Sequence, residues 1–151
     1  MGKCPYFILH STCKIKNLNN LTHMSKFVIN TDQAPAAIGP YSQAIKTANL
    51  LFLSGQIALN PQTGNLETET IEVETNRVMQ NIKAILETAN LQFENIVKTT
   101  IFLKNMQDFA AVNTVYASYF KSDFPARETV EVSRLPKDVN VEISVIAEVK
   151  Q

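Results

Sequence analysis

Val139-Asn140-Val141-Glu142-Ile143-Ser144-Val145-Ile146-Ala147-Glu148-Val149 carries an apolar residue at every odd position, and all its polar residues fall at even positions. A period of two is the mark of a β-strand with one buried face. Upstream, residues 129–134 have strand character and Leu135-Pro136-Lys137-Asp138 reads as a turn, so the predicted unit is a hairpin of residues 129–134 and 139–149. Residues 96–103 are rich in β-branched side chains and form another strand. Between the strands the period changes. Val78, Ile82, Ile85, Leu86 and Ala89 recur at helical spacing over residues 71–90, with Thr70 as N-cap, Glu72 and Glu74 in an acidic first turn and Asn90 as a left-handed stop. Phe109, Val112, Tyr116, Tyr119 and Phe120 line one face of a second helix, closed by Pro125. Short strands at residues 27–29, 44–46 and 50–54, with turns near Ala48-Asn49 and at residues 60–64, complete the order β-β-β-α-β-α-β-β. That order predicts an α+β fold, one sheet with both helices on one face. The opposite face needs a cover and no third helix is available, which points to a homo-oligomer.

Of the 151 residues, 45% are apolar, enough for one core-bearing domain. Fourteen Lys and Arg balance fourteen Asp and Glu. There is no basic run and therefore no broad positive field for phosphates, which argues against nucleic acid and membrane surfaces as partners. No apolar stretch approaches the roughly 20 residues of a membrane span. Cys4, His10, Cys13 and His23 all precede Met24. Chemistry in the remainder must proceed without a cysteine nucleophile, a histidine base or a typical zinc site. Carboxylate, arginine, hydroxyl and backbone groups remain, and without core cysteines there is no disulfide framework. Residues 1–24, lysine-bearing and free of acids, form an N-terminal extension to a domain at 25–151. The extension reads as a leader, or as sequence upstream of a start at Met24. The expected location is cytoplasmic, with a mitochondrion or plastid as the alternative if residues 1–23 act as a transit peptide.

Alternation identifies two polar residues expected on the sheet face away from the helices. Glu142 lies opposite the continuous apolar row, although a glutamate at such a position ordinarily faces water. Arg127 follows Pro125-Ala126 at the start of a strand and shares a side with Thr129 and Glu131, where a surface ion pair is the ordinary role. Tyr41, Ser54 and Asn113 would, taken singly, be turn, strand-end and helix-surface residues.

Five collinear blocks alter that reading. Residues 32–45 (Asp-Gln-Ala-Pro-Ala-Ala-Ile-Gly-Pro-Tyr-Ser-Gln-Ala-Ile), Ser54-Gly55-Gln56-Ile57, residues 97–103, residues 108–113 and the stretch from Pro125-Ala126-Arg127 through residues 135–138 to Val141-Glu142-Ile143 resemble the RidA (YjgF) family. The resemblance implies a chorismate-mutase-like fold, a homotrimer around a sheet-lined central barrel, and substrate bound between subunits without metal or cofactor. The implied reaction is hydrolytic deamination of enamines and imines (2-aminoacrylate, 2-iminopropanoate, 2-iminobutanoate) to 2-keto acids and ammonia, a form of metabolite damage control. Arg127 would grip the carboxylate and Glu142 would activate water. Tyr41, Ser54, Gly55, Asn113 and Thr129 would line the substrate site. The chain departs from the family pattern at Glu128, where many members have a small residue, and at Thr129, often a cysteine. A hydroxyl in place of that thiol is expected to change side-chain preference or redox sensitivity while leaving the arginine and glutamate in place. The family has also been described as endoribonucleases and translation inhibitors, and a non-catalytic carboxylate-binding or chaperone-like trimer is a further alternative. A histidine-free core with no net charge gives the nucleic-acid reading little support.

Overall fold

The computed structural model describes residues 26–149; the N-terminal extension, with its cysteines and histidines, lies outside the described residues. Six strands make one sheet: β1 (Phe27–Ile29), β2 (Ala44–Lys46), β3 (Leu50–Gln56), β4 (Ile96–Leu103), β5 (Ala126–Glu131) and β6 (Val141–Glu148), in the order β1-β2-β3-β6-β4-β5. Only β4 and β5 run parallel; the other neighbours are antiparallel. Helices α1 (Ile71–Thr88) and α2 (Phe109–Ala117) cover one face.

The helix signals act as expected. The Thr70 side chain accepts a hydrogen bond from the Val73 N–H, and Asn90 adopts φ 59° beyond the end of α1. Val78, Ile82, Ile85 and Leu86 are fully buried against Leu51, Leu53, Val141, Ile143 and Val145. Glu74 is also buried, its carboxylate accepting hydrogen bonds from the Asn140 N–H (2.7 Å), the Asn140 Nδ2 (2.8 Å) and the Val141 N–H (3.2 Å). An acidic side chain of the first helical turn thereby fixes the start of β6, as a buried carboxylate requires several donors to replace its water.

Two expectations fail. The predicted C-terminal hairpin does not form: β5 pairs with β4 alone, and β6 inserts between β3 and β4. The apolar row of β6 is the most continuous in the chain, and at the centre of the sheet its backbone is paired on both sides. β5, reached from β4 through α2, returns parallel to it as a β-α-β unit. The second helix also stops at Ala117, so Tyr119 and Phe120 pack from the following turn, where both rings contact Phe93.

Pairing register determines which residues share each face. Val28, Ile45, Phe52 and Ile146 form one row across the face away from the helices; Ser144, Thr100 and Glu128 form the next, followed by Glu142, Phe102 and Val130. Val28, Phe52 and Val130 are exposed there.

Candidate active site

β3 carries one extra residue relative to β6: Leu53 faces Val145 and Gln56 faces Ile143, so Ser54 and Gly55 occupy a bulge. The Ser54 hydroxyl donates to the Ser42 carbonyl at 2.7 Å, which ties the bulge to the loop carrying Tyr41. Gly55 lies beneath the Glu142 side chain. A Cβ added there would come within 2.8 Å of the Glu142 Cδ and 3.0 Å of Cγ, so only glycine leaves room for the carboxylate. Burial pushes the Glu142 carboxyl above its ordinary value. Around it Ile38, Tyr41, Ser54, Gly55, Ile57 and Pro136 line a recess of about 360 Å³.

Arg127 lies on the other side of the sheet. It pairs in register with Thr99, which pairs with Val145, whereas Glu142 pairs with Phe102; positions 99 and 102 differ by an odd number and face opposite ways. The expectation that both residues leave the sheet on the face away from the helices therefore holds for Glu142 and fails for Arg127. The reason is that β5 is an edge strand whose Val130 lies on the helix-free face in register with Phe102 and Glu142, so its apolar residues do not mark the core side as those of the central β6 do. The Arg127 Nη1 donates to the Asn113 Oδ1 at 2.7 Å, and its Cζ lies 5.0 Å from the Tyr116 ring centroid and 5.7 Å from that of Phe109. No carboxylate of the described residues lies within ion-pair distance of it. Asn113, Tyr116, Ala117, Phe124, Pro125 and Arg127 enclose a second recess of about 370 Å³.

The sequence-derived residues thus fall into two groups, Tyr41, Ser54, Gly55 and Glu142 in one recess and Asn113 and Arg127 in the other. Thr129 shares Arg127's face but lines neither recess, and its buried hydroxyl has no partner among the described residues. Glu128 points away from Arg127, bonded to Lys98 and to the Thr100 hydroxyl, and the Lys98 bond holds its carboxyl below the ordinary value. A wider hollow of about 490 Å³ over α1 contains Arg77, whose charge Glu67 already matches at 2.6 Å, and we assign it no role. Among the described residues no cluster suits a metal ion, and no helix is long and apolar enough to cross a membrane. Phe109 and Tyr116, whose rings lie beside the Arg127 guanidinium, were not among the residues singled out from sequence for the site. Their spacing from Asn113, four and three positions along one helix, was the available signal.

The architecture is that of an α+β domain with one polar recess on each side of its sheet. The chain belongs to the endoribonuclease L-PSP family, whose model matches residues 31–149, and with it to the RidA and YjgF proteins that the sequence resembles. A RutC family protein of Pyrococcus horikoshii is 54% identical over 122 residues, which are 81% of this chain and 97% of that protein. The chloroplastic Reactive Intermediate Deaminase A of Arabidopsis thaliana is 46% identical over 124 residues, 82% of this chain and 66% of that longer one. The crystal structure of E. coli TdcF with bound serine superposes with a TM-score of 0.79 at 39% identity, covering 82% of this chain and 99% of that one.

Proposed function

We propose that the protein hydrolyses small 2-imino acids and their enamine tautomers to 2-keto acids and ammonia, at sites shared between subunits of a homotrimer. The observation that carries this reading is an arginine without a carboxylate partner and a carboxyl raised by burial, each in its own recess and on opposite sides of one sheet. One chain does not bring them together; a neighbouring copy can. The exposed apolar rows on the helix-free face supply surface for such packing. The deaminase name of the plant relative supports the reaction, and the serine bound by TdcF supports a substrate of amino-acid size.

A 2-imino acid is electrophilic at its imine carbon and needs a held carboxylate, a protonated nitrogen and a placed water. The guanidinium of Arg127 supplies charge-assisted hydrogen bonds to the carboxylate. Glu142 takes a proton from the attacking water as its oxygen bonds to the imine carbon. The same carboxyl then delivers that proton to nitrogen, and as the C–N bond breaks to release ammonia the hydroxyl of the tetrahedral intermediate gives its remaining proton to the Glu142 carboxylate, leaving the keto acid. A carboxylate raised by burial suits both transfers, since its proton affinity is closer to working pH. Tyr41, half exposed at the mouth of the recess, covers the substrate.

The decisive experiment generates 2-aminoacrylate enzymatically and follows ammonia and keto-acid release with the wild type, Arg127→Ala and Glu142→Gln. Acceleration by the wild type, with loss of about 10²-fold or more in each variant, is the expected result. A second reading, carboxylate binding without turnover, is favoured only by the serine in TdcF; it requires calorimetric binding with no ammonia release. Salt-dependent RNA binding or cleavage would favour the endoribonuclease alternative instead.

A further inference from the structure

We infer that Phe109 and Tyr116 are positioning residues that hold the Arg127 guanidinium in a fixed plane for an incoming carboxylate. Phe109, Asn113 and Tyr116 are successive neighbours on one side of α2, so the helix presents two rings with an amide between them. The guanidinium carbon lies within about 6 Å of both ring centroids, the range in which the ring quadrupole attracts a cation. The amide oxygen occupies one N–H of Nη1.

A partly buried guanidinium without a carboxylate is costly unless its surroundings compensate. Here the compensation comes from rings and an amide, which carry no full charge and leave the other N–H groups for an external acceptor. An arginine kept for packing alone would gain more from an ion pair. Tyr116 is itself fixed: it is 2% exposed, its hydroxyl lies 3.0 Å from the hydroxyl of Thr99, and Thr99 is fully buried on β4. The ring beneath the guanidinium is therefore anchored to the sheet that carries Arg127, while Phe109, 40% exposed, sits at the rim.

This inference rests on the proposed carboxylate-binding role of Arg127, so its test needs a readout that does not depend on turnover. The arginine side-chain N–H resonances provide one. The Arg127 signal, identified by its disappearance in Arg127→Lys, should show a ring-current shift. In Tyr116→Leu and Phe109→Leu the signal should move toward the free-arginine position, whereas Tyr116→Phe, which keeps the ring, should retain it. In parallel, the Kd for pyruvate as probe and the KM for 2-aminoacrylate should rise about 2- to 30-fold in each leucine variant. Because the lost contact serves ground state and transition state alike, kcat should move far less than KM. Phe109→Leu, at a half-exposed position, keeps the test informative if Tyr116→Leu fails to fold. Folded leucine variants with the wild-type resonance and the wild-type pyruvate Kd would overturn the inference. If the resonances respond as expected but the wild type neither binds pyruvate nor releases ammonia, the proposed function falls while the ring support of Arg127 stands.

Discussion

Arg127→Ala and Glu142→Gln should each be inactive alone, yet a mixture of the two should regain activity. The expectation follows from register: Arg127 leaves the sheet beside α2 and Glu142 leaves it on the helix-free side, so on the proposed reading a working site takes one residue from each of two copies. In a closed ring built by random mixing, a site is intact only if its arginine comes from a Glu142→Gln chain and its glutamate from an Arg127→Ala chain. At equal amounts that probability is about one in four. At other ratios the recovered activity follows x(1 − x), where x is the fraction of Arg127→Ala chains. The variants are unfolded together in denaturant and refolded by dilution, with one carrying a mass tag so that mixed oligomers can be counted. Ammonia release from enzymatically generated 2-aminoacrylate is then compared with wild type refolded alongside. About 25% recovery, peaking at equal amounts, supports the divided site. If the tag shows mixed oligomers and activity stays at the sum of the parents, both residues act from one chain and the reasoning from register is refuted.

Gly55→Ala should spare the fold and damage the chemistry, because the added Cβ displaces the flexible end of Glu142 rather than backbone; kcat should drop ~10²-fold while urea unfolding changes by about 1 kcal/mol or less. In the proposed mechanism Glu142 works as a base when deprotonated, and burial raises its carboxyl, so kcat should fall as pH drops through a midpoint above the ordinary 4.5; a pH–rate profile with its midpoint at or below 4.5 counts against this role. Glu74→Ala strands three N–H donors at the start of β6 and should cost about 3 kcal/mol or more in urea unfolding, whereas Glu74→Gln, which retains an acceptor, should cost about 1 kcal/mol. Glu128→Ser should leave kcat/KM within about twofold, since that side chain faces Lys98 and Thr100 across the sheet from Arg127; a tenfold loss would mean that it reaches a neighbouring subunit's site.

The elements of this fold were legible because their signals are local. Thr70 and Asn90 mark the limits of α1 by cap chemistry, and the odd-numbered apolar residues from Val139 to Val149 mark β6 by period. Strand neighbours were not legible. Nothing in residues 129–149 distinguishes a hairpin from a strand that leaves its predecessor and inserts between β3 and β4, because that choice depends on contacts with distant residues. Alternation within β5 put Arg127 on the wrong face because Val130, the apolar residue taken as core-facing, lies exposed on the helix-free side of an edge strand. In β6 the same alternation held for Glu142, since Val141, Ile143 and Val145 are all buried. The ring support of Arg127 could be seen only once α2 was placed, since Phe109 and Tyr116 in sequence resemble any apolar helix face.

On the proposed reading, opposite faces also keep the two groups functional. Were Arg127 and Glu142 within reach on one face of one chain, they would pair; the carboxyl would be pulled below its ordinary value, and the guanidinium would lose the N–H groups a substrate needs. Separation by the sheet lets burial alone act on Glu142, while two rings and an amide steady Arg127 without neutralising it. On the proposed reading they meet only across a subunit boundary, with the substrate between them. Its carboxylate then matches the arginine, so the cation no longer draws on Glu142, and the carboxyl regains proton affinity at the stage when it must take a proton from water.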